Sequence, residues 1–118
     1  MSEQIEDFIR RRKELNKIIM ENSELVTRRF FNLDEQAYKP GALNSKTKEM
    51  LGLIASVVLR CDDCIYYHLI NCYRQKLSDA EFSEVMSIAL IVGGSITIPH
   101  IRRAYQHWSE LKKGEPHE

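Results

Sequence analysis

The residues whose types and spacing could do chemistry fall in one short run, Cys61-Asp62-Asp63-Cys64-Ile65-Tyr66-Tyr67-His68, with Glu49 twelve residues before Cys61. A Cys-x-x-Cys pair can cycle between dithiol and disulfide. His68 follows Cys64 by four residues. On a helix that spacing sets the imidazole one turn from the second sulfur, on the same face, where it can take the thiol proton. A carboxylate such as Glu49 could orient the imidazole in turn, the usual arrangement of an activated nucleophile. One stretch thus supplies two sulfurs and a base, with a candidate orienting acid upstream.

The elements that must position these groups read as helices joined by short breaks, and no segment alternates as a strand would. Ile5, Phe8, Ile9, Leu15, Ile18 and Ile19 recur at helical spacing, with Arg10 to Lys13 on the other side. A shorter segment from Leu25 to Phe31 leads into Asp34 to Gly41, where Pro40-Gly41 predicts a turn. Asn44 or Ser45 caps a third helix with Met50, Leu51, Ile54, Val57 and Val58 as its stripe and Glu49 on the flank. The fourth helix starts at the motif. Its stripe of Cys61, Cys64, Ile65, His68, Leu69, Cys72 and Tyr73 predicts a site that faces the interior. Ser78-Asp79-Ala80-Glu81 is a capping box for a fifth helix, stopped by Gly93-Gly94. Ile88 to Val92 makes that helix apolar almost all round, so it must be buried by the core or by another subunit. Pro99 suits the first turn of a last helix that turns Ile101, Ala104, Tyr105, Trp108 and Leu111 inward, and Glu115 to Glu118 reads as a frayed tail.

At 118 residues the chain is expected to form one domain, 1–118, near the small end for standing alone. Seventeen basic and seventeen acidic residues cancel, which leaves no broad field to recruit nucleic acid or an anionic membrane. No apolar run has transmembrane length, and the first residues lack the pattern of a secretory signal, so a cytoplasmic protein is expected. In that setting three cysteines point to catalysis, metal binding or plain burial rather than to a disulfide framework.

Zinc is the first rival to the redox reading, because Cys61, Cys64, His68 and Cys72 resemble a ligand set. On one straight helix Cys61 and Cys72 stand roughly 16 Å apart, whereas tetrahedral zinc needs each donor within about 2.3 Å. No metal site is therefore expected. Cys72 reads as a buried thiol, His100 as a surface histidine at a helix start, and His107 and His117 as solvated. Tyr66 and Tyr67 lie off the cysteine stripe and suit packing or subunit contact. Arg10 to Lys13 reads as a solvated face. Without a Gly-x-Gly-x-x-Gly after a strand there is no flavin or nicotinamide fingerprint, and no cofactor is expected.

Glu49, Cys61-x-x-Cys64-x-x-x-His68 and the later Gly93-Gly94 together resemble the AhpD-like, carboxymuconolactone decarboxylase superfamily, closest to its small single-domain members. The likeness runs from Phe30 to Trp108 and includes Thr47-Lys48-Glu49 and Ile98-Pro99-His100. It implies an all-α fold of about five to six helices, assembled as a trimer or hexamer with the site near subunit contacts. In the redox branch the cysteine pair reduces a peroxide or a peroxiredoxin, and the glutamate and histidine form a proton relay. Carried over, Cys61, Cys64, His68 and Glu49 match that pattern. Two departures are Asp63, where those enzymes place a histidine before the second cysteine, and the shorter chain.

The expected function is a thiol-dependent antioxidant oxidoreductase of alkylhydroperoxidase or peroxiredoxin type, drawing electrons from an external dithiol or protein reductant. Nearness to the helix start favours Cys61 as the attacking sulfur, whereas the relay favours Cys64. Asp62 and Asp63 cap the helix dipole well but oppose a nearby thiolate. The alternatives are a decarboxylase-type lyase using Glu49 and His68, or a non-catalytic oligomer that keeps the motif for packing.

Overall fold

The computed structural model describes residues 2–113: α1 (Glu3–Asn22), α2 (Leu25–Ala37), α3 (Ser45–Val58), α4 (Asp62–Arg74), α5 (Asp79–Gly93) and α6 (Ile98–Lys112). A 3-10 turn over Ser95–Thr97 joins α5 to α6, and there is no strand among the described residues. The fold is all-α, as expected. His117 and the tail from Glu115 lie outside the described residues.

The local signals act as their chemistry dictates. Asn44, not Ser45, caps α3, its side chain accepting from the Thr47 amide at 2.8 Å. The capping box closes both ways, with the Ser78 amide donating to Glu81 Oε1 at 2.9 Å and the Glu81 amide to Ser78 Oγ at 3.1 Å. The second helix is longer than predicted. It continues through Asp34-Glu35-Gln36-Ala37, a run that includes good helix formers, and stops at Tyr38 just before Lys39-Pro40.

The core is made by α3 to α6, with Ile5 of α1 added to it. Leu53, Leu69, Phe82 and Leu111 are almost fully enclosed, and Phe82 stacks on Trp108 at 4.7 Å between ring centroids. Among the described residues α2 buries none. Two sequence expectations change here, the inward face of α3 and the inward Tyr105, and one narrows, the cover of α5. The inward face of α3 is Glu49, Leu53, Ser56 and Val57, while Leu51 is exposed. It is turned by about 100°, one residue's worth, from the apolar stripe read in the sequence, because two polar residues sit inside. Within this chain, too, the core does not cover the end of α5, where Ile88 and Val92 stand out and Ile91 is 84% exposed. Tyr105 is half outside as well, its ring edge against Phe82 and its hydroxyl donating to Ser83 Oγ at 3.3 Å.

The link from α3 to α4 places the first sulfur. Arg60 takes a left-handed conformation with φ 59°, its amide donating to Val57 O at 3.0 Å, and the Cys61 amide donates to Ser56 O at 3.1 Å. These two bonds close the end of α3 in a Schellman motif. They also hold Cys61 extended as the N-cap of α4. Lys76 repeats the device after α4 with φ 63°, through Lys76 to Tyr73 O and Leu77 to Cys72 O.

Candidate active site

Cys61 and Cys64 are joined as a disulfide with their Cα atoms 5.3 Å apart. The Cys64 amide also donates to Cys61 Sγ at 3.3 Å, so this sulfur caps the helix it opens. The start of a helix carries positive dipole, which favours a thiolate when the pair is reduced. Cys64 is exposed and Cys61 half-buried. The site therefore opens outward at its sulfur end, against the interior position predicted from the stripe, and Cys64 rather than Cys61 is the more exposed sulfur. The cause is the cap: Cys61 lies before the first helical residue, against the end of α3, while Cys64 lies a turn further on.

Behind the sulfurs the stripe does run inward. His68 Nδ1 lies 2.9 Å from Glu49 Oε2, and Asn71 Nδ2 donates to Glu49 Oε1 at 3.4 Å. With Glu49 as carboxylate, Nδ1 carries the proton and Nε2 is left as the accepting nitrogen. Glu49 is only 6% exposed, and a buried carboxylate held by two donors is the arrangement that makes its burial tolerable. The flank position read from the sequence is thus corrected to the centre of the inward face. Nε2 faces the Tyr38 hydroxyl at 3.4 Å, while no hydrogen bond joins His68 to either sulfur among the described residues. Gly52 makes room for this contact, because a Cβ there would stand 2.6 Å from Tyr38 Oη and 2.9 Å from His68 Cε1.

Tyr38, Asn71 and Gly52 were missed in the sequence. Gly52 and Asn71 each follow a site residue by three positions, which puts them on the same helix faces. Tyr38 carries no such signal. Its approach depends on how α2 ends.

The remaining candidates are placed as follows. His100 Nδ1 lies 2.8 Å from Asp62 Oδ1, and Arg103 Nη2 lies 3.1 Å from Oδ2. His100 therefore pins α6 to the start of α4 rather than standing free. Burial pushes the Asp62 carboxyl up, but the bonds from His100 and Arg103 outweigh it and hold the group below the usual range. Cys72 is a buried free thiol, as expected, pushed up to about 12 by burial and then by the Glu49 charge. Tyr66 is a packing residue between Phe8 and His107, whose ring it stacks on at 3.9 Å, so His107 is not simply solvated. Arg12 sits over the Tyr67 ring at 3.6 Å, so the basic face of α1 is only partly solvated. Among the described residues no three His, Cys, Asp or Glu side chains gather as a metal ion would need.

A cavity of about 340 Å³ opens beside the Glu49–His68 pair, with Tyr38, Glu49, Tyr67, Asn71 and Arg74 among its walls. Among the described residues no helix is long and apolar enough to cross a membrane.

Among the described residues, six helices with a cysteine pair at one helix start and a buried carboxylate–imidazole pair beneath it define an AhpD-like protein. The profile of the carboxymuconolactone decarboxylase family matches residues 24–107, and the chain belongs to that family. The match begins at the N-cap of α2 and leaves α1 outside. A crystal structure of a Thermotoga maritima protein is 53% identical, covers 91% of this chain and 94% of that one, and superposes with a TM-score of 0.89. A second crystal structure from that organism, of a carboxymuconolactone decarboxylase family protein with a suggested part in the antioxidative response, is also 53% identical. It covers 91% of both chains, with a TM-score of 0.88. A family protein from Legionella pneumophila, solved in its apo form, is 27% identical over 93% of this chain and 98% of its own, at a TM-score of 0.79. An uncharacterised protein of Cupriavidus necator is 24% identical over 82 residues, 70% of this chain and 73% of its own length.

Proposed function

We propose that the protein is a thiol-dependent antioxidant oxidoreductase that reduces peroxides, or a peroxiredoxin partner, with the Cys61–Cys64 pair. The observation that carries this reading is the placement of Cys64, paired with Cys61, one helical turn before His68, whose ring is bound to the buried Glu49. The suggested antioxidative part of the Thermotoga maritima relative is in keeping with it. In the reduced protein His68 takes the proton of Cys64, and the thiolate attacks the outer peroxide oxygen. The O–O bond breaks, Cys64 becomes a sulfenic acid, and the alcohol or water leaves with a proton. Cys61 then attacks that sulfur, water departs, and the disulfide returns. Cys64 is the attacking sulfur in this scheme because it is the more exposed of the two. An external dithiol or protein reductant restores the thiols. The working form in this reading is a cytoplasmic homo-oligomer, trimer or hexamer, and the exposed apolar residues on α2 and α5 suit such an assembly.

A lyase using Glu49 and His68 is the second reading. It is favoured by one observation: Glu49 lines the cavity, while both sulfurs lie outside its lining among the described residues. Hydroperoxide consumption with a panel of dithiol donors separates the two. Replacing both Cys61 and Cys64 by serine abolishes thiol-dependent turnover in an oxidoreductase but leaves lyase activity largely intact. His68→Gln should lower turnover by about 10²- to 10⁴-fold, the usual worth of a general base, with Glu49→Gln less severe. Turnover that survives in the double serine variant would sink the redox reading.

A further inference from the structure

Tyr38 ends a helix that is otherwise barely attached to the core, yet its own position is firmly held. Ser45 Oγ donates to Tyr38 O at 2.9 Å, and Lys48 Nζ donates to Ala37 O at 2.9 Å and to Lys39 O at 2.7 Å. Three bonds from the start of α3 thus fix the backbone on both sides of the phenol. On the other side of the contact, Gly52 offers no side chain where a Cβ would strike the hydroxyl. Tether and clearance arise independently, and both serve to bring Tyr38 Oη to His68 Nε2.

We propose that Tyr38 is a positioning residue acting through His68: its hydroxyl partners Nε2 in both charge states of the imidazole and keeps the ring aligned as it takes up and releases the Cys64 proton. This rests on the thiol chemistry proposed above. A hydroxyl both donates and accepts, so it can donate to the bare Nε2 of the neutral ring and accept from Nε2–H once the ring is charged. In the step itself the Cys64 S–H bond breaks, its electron pair stays on sulfur, and the proton bonds to Nε2. Tyr38 turns its O–H away and keeps its own proton. The groups that face the pair are Glu49 from α3, Asp34 on α2 and Tyr67 on α4, the last with its ring 5.2 Å from the imidazole. Burial first, and then the charges of Glu49 and Asp34, push the Tyr38 hydroxyl up, so it keeps its own proton. The walls of the cavity include Tyr38 and not His68.

The test is alkylation of Cys64 in the reduced protein with iodoacetamide, followed across pH in wild type, Tyr38→Phe, His68→Gln and the double variant, beside thermal melts. Tyr38→Phe should move the Cys64 profile to higher pH and slow labelling at pH 7 about fivefold, the worth of one hydrogen bond, while its melt stays close to wild type. His68→Gln should move it further, and the double variant should label no more slowly than His68→Gln alone, since Tyr38 then has nothing to act through. Gly52→Ala, whose Cβ would press on both the hydroxyl and the imidazole, should move the profile at least as far as Tyr38→Phe does. A Tyr38→Phe profile that overlies wild type while His68→Gln is displaced overturns the proposal and leaves the thiol–base reading standing. A slowing that adds in full to that of His68→Gln overturns it as well, by making the phenol merely structural. If His68→Gln overlies wild type, the thiol–base reading fails and this one with it.

Discussion

Helices α2 and α3 are neighbours in the chain and both are rich in large apolar residues, but they are used in opposite ways. In α3 Leu53 and Val57 are sealed in the core, and Glu49 is drawn inside with them. In α2 Val26, Phe30 and Leu33 all stand more than half exposed. The difference lies in partners: α3 packs on both α4 and α5, whereas α2 lies outside that core. A buried helix can hold a charged group in fixed geometry because its neighbours supply the bonds that burial demands. An uncovered helix contributes to the site only at the end where it is tied down, and Tyr38 is that end. The same contrast holds within the cysteine stripe, which runs from an exposed Cys64 to a sealed Cys72.

The stripe gives the sharpest test. In the reduced native protein at pH 8 a thiol pushed up to about 12 has a thiolate fraction on the order of 10⁻⁴. Cys64 should therefore label at least a thousandfold faster than Cys72, which stays a thiol at every pH well below that value. Unfolding in denaturant should erase the difference. Comparable labelling of both in the native state would break the contrast between the ends of α4.

A second comparison sets core against arm. Leu53→Ala, which opens a cavity in the sealed part, should cost about 2–5 kcal/mol. Val26→Ala, at a residue 79% exposed, should fall within about 0.5 kcal/mol of wild type for an isolated chain. Chemical denaturation over a range of protein concentrations measures both. A Val26→Ala loss that matches the core variant and grows with protein concentration would show α2 covered by another copy.

The smallest effect belongs to the two left-handed connections around α4. Lys76→Gly removes the Cβ that makes φ 63° costly and should stabilise the fold by about 1 kcal/mol. Thiol labelling should be unchanged, since Lys76 lies beyond the far end of α4 from the sulfurs. Arg60→Gly should gain as much stability, but it removes a charge beside Cys61, so a change in labelling there alone would assign Arg60 an electrostatic part.

Much of this was legible in the chain. Helix caps act within a few residues, so Ser78 with Glu81 marked the start of α5 and Gly93-Gly94 its stop, without help from the rest of the fold. The spacing of Cys64 and His68 placed the second sulfur one turn from the imidazole because a helix has a fixed pitch. Glu49 was named as the orienting acid, and it is bonded to His68. The reading failed where inwardness was inferred from apolarity alone. Glu49 and Ser56 face the core because His68, Asn71 and the Gly52 carbonyl satisfy them, and those partners lie on another helix or a turn away.

What the sequence determined by itself, then, was set by local bonds and helical period: the all-helical order, the capped starts of α3 and α5, and the order of reactive groups along α4. Tertiary structure decided exposure and partnership. The start of α4 leaves Cys64 open while Cys72 is closed by the core, and a tether of three hydrogen bonds carries Tyr38 from an otherwise uncovered helix to the imidazole. Such contacts join residues far apart in the chain, 30 positions for Tyr38 and His68, and no local pattern encodes them.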